Sequence, residues 1–499
     1  MLCLVIALLA LRVGHSALLN DPGTTWHIRV GLDVLQFGPP HVDAYSYTRG
    51  GQPWISQAWL FDIVLAGIYR AWSWNGVVMV SAITLGWVYR SLFRLLLDVP
   101  ANIAWSAGLT LLAAACGANH WLARPHLVSL FFFVLTYGWC IRYYRDGDRS
   151  AWWIPVVMAV WCNVHGAFLG GLIVIGCSLV GQILSVPRDV VWRKRILGFS
   201  LMFVLSILAT LVNPYGPKLH MHLIDLLFSS GVRDLIDEWR APDFQAADAR
   251  PLELMLLLGI VLLAVGQRRV TVFSLIHWIV WIHYALVAVR QVAFAAVVVA
   301  PVLGELTVDL WPSLRDRFGL GWAGRWIEEI GRRASEWAAT ERGARWPVWS
   351  LVGSAMLLGI TAVGASLPAF GIGMARLSPE RWPIAAVDAL NFEPSYGPVF
   401  NDLNWGGYLI LQADPPRAVF ADDRFELYGR RFIQDYLAAL QYGPAWQELL
   451  RQYEFEFVLI RPDVPLARVL AESTDWNTVH RDATAVLYRR GPAVRLTSR

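Results

Sequence analysis

The sequence predicts a polytopic α-helical membrane protein with about eleven transmembrane helices and a C-terminal extracytoplasmic α/β domain. Three observations point there. Of 499 residues, 56% are hydrophobic and only 16% are charged, whereas a soluble chain carries about 25% charged residues. Apolar runs near spanning length recur from the N-terminus to about residue 369. Beyond residue 370 they give way to short strand-like strings alternating with amphipathic helical ones. The 26 tryptophans suit long membrane–water interfaces. The net charge of +4 is spread over many loops, which argues against a nucleic-acid surface.

The first run, MLCLVIALLALRVGHSALLND, has no basic leader and no small-residue cleavage site, so it reads as a first span over 1–19 rather than a signal peptide. Further spans fall at 75–95, 100–118, 126–144, 151–163, 166–186, 195–212, 251–266, 271–289, 291–306 and 346–369. Basic clusters at Arg90/Arg94, Arg142/Arg145/Arg149, Arg188/Arg193/Lys194/Arg195 and Arg268/Arg269, with the basic stretch 306–345, assign their loops to the cytoplasm. The string QAWLFDIVLAGIYRAW at 57–72 would invert every later cluster if it spanned, and it carries Asp62 and Arg70. It therefore reads as a helix on the outer membrane surface. The domains expected are a membrane domain over 1–370, with outer loops at 20–74 and 213–250, and a soluble domain over 375–499. In the latter, PVFND, YLILQ, AVFAD, FVLIRP and TAVLYRR read as strands, and RFIQDYLAALQ and AWQELLRQYE as helices.

The five cysteines, Cys3, Cys116, Cys140, Cys162 and Cys177, sit in or beside apolar runs without CxxC or Cys/His spacing, and read as packing residues. No P-loop, dinucleotide-binding, zincin or nucleophile-elbow motif occurs. Chemistry then falls to polar groups at the outward ends of apolar segments. Asp21 leaves the first span in the string DPGTTWH. It is either a helix cap or a carboxylate that accepts a proton from an acceptor hydroxyl or helps hold a cation. His27 and Asp43 follow in the same loop, the latter in a turn-like string. His120, Arg124 and His126 in HWLARPHL, Asn163 and His165 in WCNVHG, and Arg290 between two apolar runs suggest a partly cationic cavity. Arginine there suits a phosphate, because its planar fork binds oxyanions with two donors. Glu238, Trp239 and Asp243 belong to a loop that either closes over that cavity or is simply structural. In the terminal domain, Asp402, Trp405, Gly406, Gly407 and Tyr408 are expected to form a turn leading into a strand. Asp422, Asp423 and Arg424 are expected at a strand end, as a ligand site or as an internal Asp–Arg pair.

With Asp21 just after the first span, a surface helix at 57–72 and a terminal domain from about 375, the chain resembles the GT-C superfamily of integral-membrane glycosyltransferases. Its branches include protein O-mannosyltransferases, the lipid A aminoarabinose transferase and the catalytic subunit of oligosaccharyltransferase. NDLNWGGYL is loosely similar to the Trp-Asp-Tyr-Gly region of the last. The chain also resembles bacterial membrane proteins with a DPxxxWHxxxG first loop, here Asp21, Pro22, Trp26, His27 and Gly31. The resemblance implies a polyprenyl-phosphate-linked sugar donor and an extracytoplasmic acceptor (lipid, glycan or protein). It also implies residence in the bacterial inner membrane and leaves a divalent cation at Asp21 open. Arg124 and Arg290, with His126 or His165, would hold the phosphate, and Asp21 would activate the acceptor. Two rival readings use the same residues: a transporter or flippase of a lipid-linked or anionic substrate, and a non-catalytic subunit of an envelope-polysaccharide system.

Overall fold

The computed structural model describes residues 17–308 and 348–491, apart from 100–102, 187, 229, 230, 267, 371 and 415, together with single positions 11, 310, 329 and 336. Most of the first expected span and of the basic stretch 306–345 lies outside the described residues. In chain order the helices are α1 (Pro22–Phe37), α2 (Trp59–Asp98), α3 (Ile103–Gly117), α4 (Pro125–Asp146), α5 (Ile154–Val164), α6 (Phe168–Leu184) and α7 (Val190–Ala209). Then come α8 (Pro217–Phe228), α9 (Arg250–Val265), α10 (Val272–Val287), α11 (Val292–Leu306) and α12 (Val348–Ala362). The last segment holds α13 (Ile384–Asn391), α14 (Gly406–Gln412), α15 (Phe425–Leu440), α16 (Pro444–Tyr453) and α17 (Pro465–Glu472). Its strands are β1 (Val399–Asn401), β2 (Phe457–Ile460), β3 (Trp476–Arg481) and β4 (Val486–Arg490).

The chain divides into two compact units. One comprises 1–15, 78–213 and 236–374, and the other 16–77, 214–235 and 375–499. In the first, a helix lies at each expected apolar run after the initial one. Among the described residues three helices, Trp59–Asp98, Pro125–Asp146 and Val289–Leu306, are long and apolar enough to cross a membrane. The α11 helix is buried almost throughout and packs against α3, α4, α9 and α10. By contrast, Leu197, Leu201, Val204 and Leu208 of α7 and Leu254, Leu257 and Val261 of α9 are exposed. Such apolar stripes are stable where the solvent is lipid, since the helix satisfies its own backbone. Cys116, Cys140, Cys162 and Cys177 are free and buried, as packing residues are. Helix α2 breaks at Ser73 (φ 50°, ψ −150°), so Trp59–Trp72 and the apolar stretch that follows are separate helical pieces.

In the second unit a four-stranded sheet runs in the order β1-β2-β4-β3, with β1 and β2 parallel and the other pairs antiparallel. Val458 pairs with Phe400 on one side and Tyr488 on the other. Phe400, Phe420, Tyr436, Trp446 and Phe455 form the aromatic centre of the core. Loop 1 (residues 38–58) is sewn to this segment by hydrogen bonds that Tyr47 Oη donates to Val399 O (2.9 Å), Thr48 Oγ1 to Phe420 O (2.7 Å) and an Arg49 nitrogen to Tyr428 O (2.7 Å).

Two expected strands are corrected. YLILQ is helix α14, because Gly406 to Ile410 are buried on every side and the run shows no two-residue period. AVFAD makes a single bridge, Val419 to Ser46, and no ladder. The strand β3 was not anticipated from the sequence; of its residues only Trp476 is buried. The Gly-Gly pair has a steric cause. A Cβ on Gly406 would lie 2.2 Å from Ala421 O, and one on Gly407 would lie 2.6 Å from Pro22 O and 2.8 Å from Thr25 Oγ1. Gly407→Val is therefore expected to destabilise the protein by about 1–3 kcal/mol through overpacking. Thermal unfolding followed by tryptophan fluorescence would show it. Gly67→Ala, on a helix with open space around the added methyl, should hold or raise the midpoint.

Candidate functional site

The residues singled out by sequence fall into separate groups, each within one unit. In the second unit Asp21 begins α1, its backbone extended (φ −82°, ψ 126°) and followed by proline. Its side chain does not cap the helix. It is 2% exposed and accepts a hydrogen bond from Thr24 Oγ1 at 3.4 Å. The space beside it is shared with the far end of the chain. A Cβ on Gly23 would sit 2.9 Å from Asp21 Oδ2 and 3.1 Å from Asp423 Oδ2. Gly23 thus leaves room for a carboxylate oxygen from each of two distant parts of the chain. Trp26 Nε1 donates to Asp423 Oδ1 at 2.7 Å, which fixes the second carboxylate.

His27 does not join that pair directly. Its ring stacks on Trp26 at 3.7 Å, and its Nδ1 lies 2.5 Å from Asp62 Oδ1. The other Asp62 oxygen accepts from Ser56 Oγ at 2.8 Å. A Cβ on Gly31 would lie 1.9 Å from Asp62 O, so glycine lets α1 and α2 approach until His27 meets Asp62. Sequence reasoning used Asp62 only as an argument against a span. Its signal as a site residue was an acid alone in an apolar helix.

Asp422 and Arg424, open from the sequence as a ligand site or an internal pair, and Asp43 from a turn-like string, are engaged with one another in the structure. Arg424 is buried with both aspartates. It donates from Nη1 to Asp43 Oδ1 (2.8 Å), from Nη2 to Asp422 Oδ2 (2.7 Å) and from Nε to Asp422 Oδ1 (2.8 Å). Asp422 Oδ2 also accepts from Tyr428 Oη, and Asp43 Oδ2 from Ser46 N and Oγ. Burial opposes the guanidinium charge, and Asp422, then Tyr428 and Asp43, outweigh it and hold Arg424 above its ordinary range. The oxygens are spent on a buried ion pair that fastens loop 1 to the terminal segment. Asp402 and Trp405 are likewise internal. Asp402 caps the turn at Asn404 N (3.0 Å) and pairs with Arg461 (3.2 Å). Burial raises its carboxyl, and Arg461 opposes that. Trp405 Nε1 donates to Arg381 O at 3.1 Å. The expected strand after this turn is α14.

In the first unit Arg124, whose backbone caps the N-terminus of α4, donates from Nη1 to Glu238 Oε1 at 2.7 Å. The Arg290 guanidinium lies 4.4 Å from the Trp239 ring centre. His126 Nε2 hydrogen-bonds to His120 O. Glu238 interacts electrostatically with both arginines and both histidines. Burial would raise it, but Arg124 and then Arg290 pull it down to about 2. His120 is buried, and its desolvation lowers its pKa. His165 stands elsewhere in the unit, its Nδ1 2.9 Å from Ser129 Oγ, which also accepts from Trp161 Nε1 at 2.8 Å. Among the described residues no group of three or more His, Cys, Asp or Glu is placed to hold a metal ion.

No family model matches the sequence, and no curated protein matches it. Solved structures do match in fold. The apo crystal structure of ArnT from Cupriavidus metallidurans superposes with TM-score 0.51 at 15% identity, covering 98% of this chain and 99% of that one. The Archaeoglobus fulgidus oligosaccharyltransferase tethered to an acceptor peptide gives 0.55 at 12% identity, covering 92% and 68%. The archaeal oligosaccharyltransferase AglB from the same organism, in complex with an inhibitory peptide and a dolichol-phosphate, gives 0.54 at 13% identity, covering 92% and 69%. At such identities the likeness is one of fold. The chain has the GT-C fold that the sequence suggested.

Proposed function

We propose that this GT-C-fold chain transfers a sugar from a polyprenyl-phosphate-linked donor to an extracytoplasmic lipid, glycan or protein acceptor. In this reading about eleven helices span the bacterial inner membrane, and loop 1 and the terminal segment lie outside the cytoplasm. The observation that carries the reading is the pair of carboxylates, Asp21 and Asp423, held on either side of Gly23 in a chain of this fold. Asp21 takes the acceptor's proton, and the freed oxygen or nitrogen attacks the anomeric carbon. The bond from that carbon to the phosphate oxygen breaks, and the lipid phosphate leaves with the electron pair. Arg124 and Arg290, with His126, bind that phosphate and stabilise its growing charge. His165, hydrogen-bonded to Ser129, has a positioning role in this scheme. A divalent cation, if one is bound, would take oxygen ligands from Asp21 and Asp423.

The test is transfer by purified protein in nanodiscs, using radiolabelled polyprenyl-phosphate sugars and a crude envelope fraction as acceptor. Label moving from lipid to acceptor supports the reading. Folded protein that transfers from no donor overturns it in favour of a transporter or scaffold.

A further inference from the structure

The residues proposed to hold a lipid phosphate already hold an anion, the side chain of Glu238. We propose that Glu238 is an internal counter-anion that occupies the phosphate's place between donors, and that phosphate loading displaces it and frees its loop. This rests on the reading of Arg124 and Arg290 as the phosphate site.

Four features carry the inference. First, both arginines act on one carboxylate. Arg124 and Arg290 are permanently cationic, and Glu238 interacts electrostatically with each. Second, the geometry is that of an anion bound to an arginine, with Nη1 to Oε1 at 2.7 Å and both side chains about a third exposed (27% and 30%). Water, and hence a competing oxyanion, can reach such a pair. Third, the segment carrying Glu238 is lightly held. Asp237–Trp239 is one short 3-10 turn with no buried residue, flanked by extended backbone at Ile236 and Arg240. It meets the neighbouring turn through the Arg290–Trp239 stacking and the bond from Val289 N to Arg240 O (2.9 Å). Such segments open at low cost. Fourth, His120 lies within electrostatic reach of Glu238, is 8% exposed, and has a buried Nδ1 with no hydrogen-bond partner. A phosphate oxygen would complete it, whereas Glu238 as placed does not. The N-terminus of α4, at Arg124, adds a favourable field for an anion.

The exchange has a direction. A phosphodiester donor carries one negative charge, as Glu238 does, and a phosphate monoester product carries close to two. The product is therefore held more tightly than the donor. Returning Glu238 supplies the anion that lets it go.

The probe is polyprenyl phosphate, titrated by thermophoresis against the full chain in nanodiscs. Glu238→Gln removes the competing charge at constant shape and is expected to bind about tenfold tighter, as when a state occupied nine times in ten ceases to compete. Arg124→Ala and Arg290→Ala should each weaken binding. Asp237→Asn, on the same turn but paired outward with Arg240 at 3.1 Å, should leave binding unchanged. Equal or weaker binding by Glu238→Gln, with binding still lost in Arg124→Ala, overturns the counter-anion and leaves the phosphate site standing. Unchanged binding in both arginine variants overturns the site and the counter-anion together. Hydrogen exchange on the unmodified protein gives an independent reading. Polyprenyl phosphate should accelerate exchange across 236–241, and protection there would refute displacement.

Discussion

Arg424→Met is expected to cost the folded protein about 3–5 kcal/mol, more than any other single side-chain change considered, because it removes one partner of a buried ion pair. Arg424 is 2% exposed, and Asp43 and Asp422 are 1% and 0% exposed. With the guanidinium in place the cluster carries one net negative charge. Without it, two carboxylates face each other in a place water does not reach. Methionine fills much of the volume and packs against Trp54, whose ring centre lies 4.5 Å from the guanidinium carbon. The loss measured is then chiefly electrostatic. Lysine should not rescue it. Arg424 uses Nε, Nη1 and Nη2 on three different carboxylate oxygens, and an ammonium is a single point charge without that fork. Thermal unfolding in detergent, followed by tryptophan fluorescence, should show both variants melting well below the wild type. A midpoint for Arg424→Met within a degree of wild type would show that the pair contributes nothing to the fold.

That cluster also shows where the sequence was readable. An internal Asp–Arg pair was legible within the string ADDR, because Asp422 and Arg424 are two residues apart. Its second partner, Asp43, is 381 residues away, and no local pattern announces such a contact. The same holds for Trp26 with Asp423, 397 residues apart. The helices at the apolar runs were legible because such runs are a one-dimensional signal. The run YLILQ misled because four consecutive apolar residues fit either period, and the burial of Gly406 to Ile410 leaves no polar face there to choose between them. Arg124 and Arg290 were singled out from a different cue, charged groups at the ends of apolar runs, and Glu238 only as part of a loop that either closes over them or is structural. Which of them pair was beyond the sequence, since Arg124 and Glu238 lie 114 residues apart.

Asp21→Asn is expected to lower sugar transfer by about two to four orders of magnitude, the usual worth of a positioned general base. The substitution keeps size and shape, and the amide oxygen can still accept from Thr24 Oγ1, which lies 3.4 Å from Asp21 Oδ2. The fold should therefore survive, with an unchanged melting temperature as the check. Affinity for polyprenyl phosphate should also be unchanged, because that task belongs to Arg124 and Arg290. The loss then falls on kcat. Asp423→Asn separates two accounts of the carboxylate pair. If the pair holds a divalent cation, both variants lose transfer, and raising the cation concentration restores part of it. If Asp21 alone takes the proton, Asp423→Asn keeps much of its activity, since Trp26 Nε1 can still donate to the amide oxygen in place of Asp423 Oδ1. Full transfer by folded Asp21→Asn would remove Asp21 from the chemistry. The proton would then have to go elsewhere, and His27, held through Nδ1 by the buried Asp62, is the next base to replace.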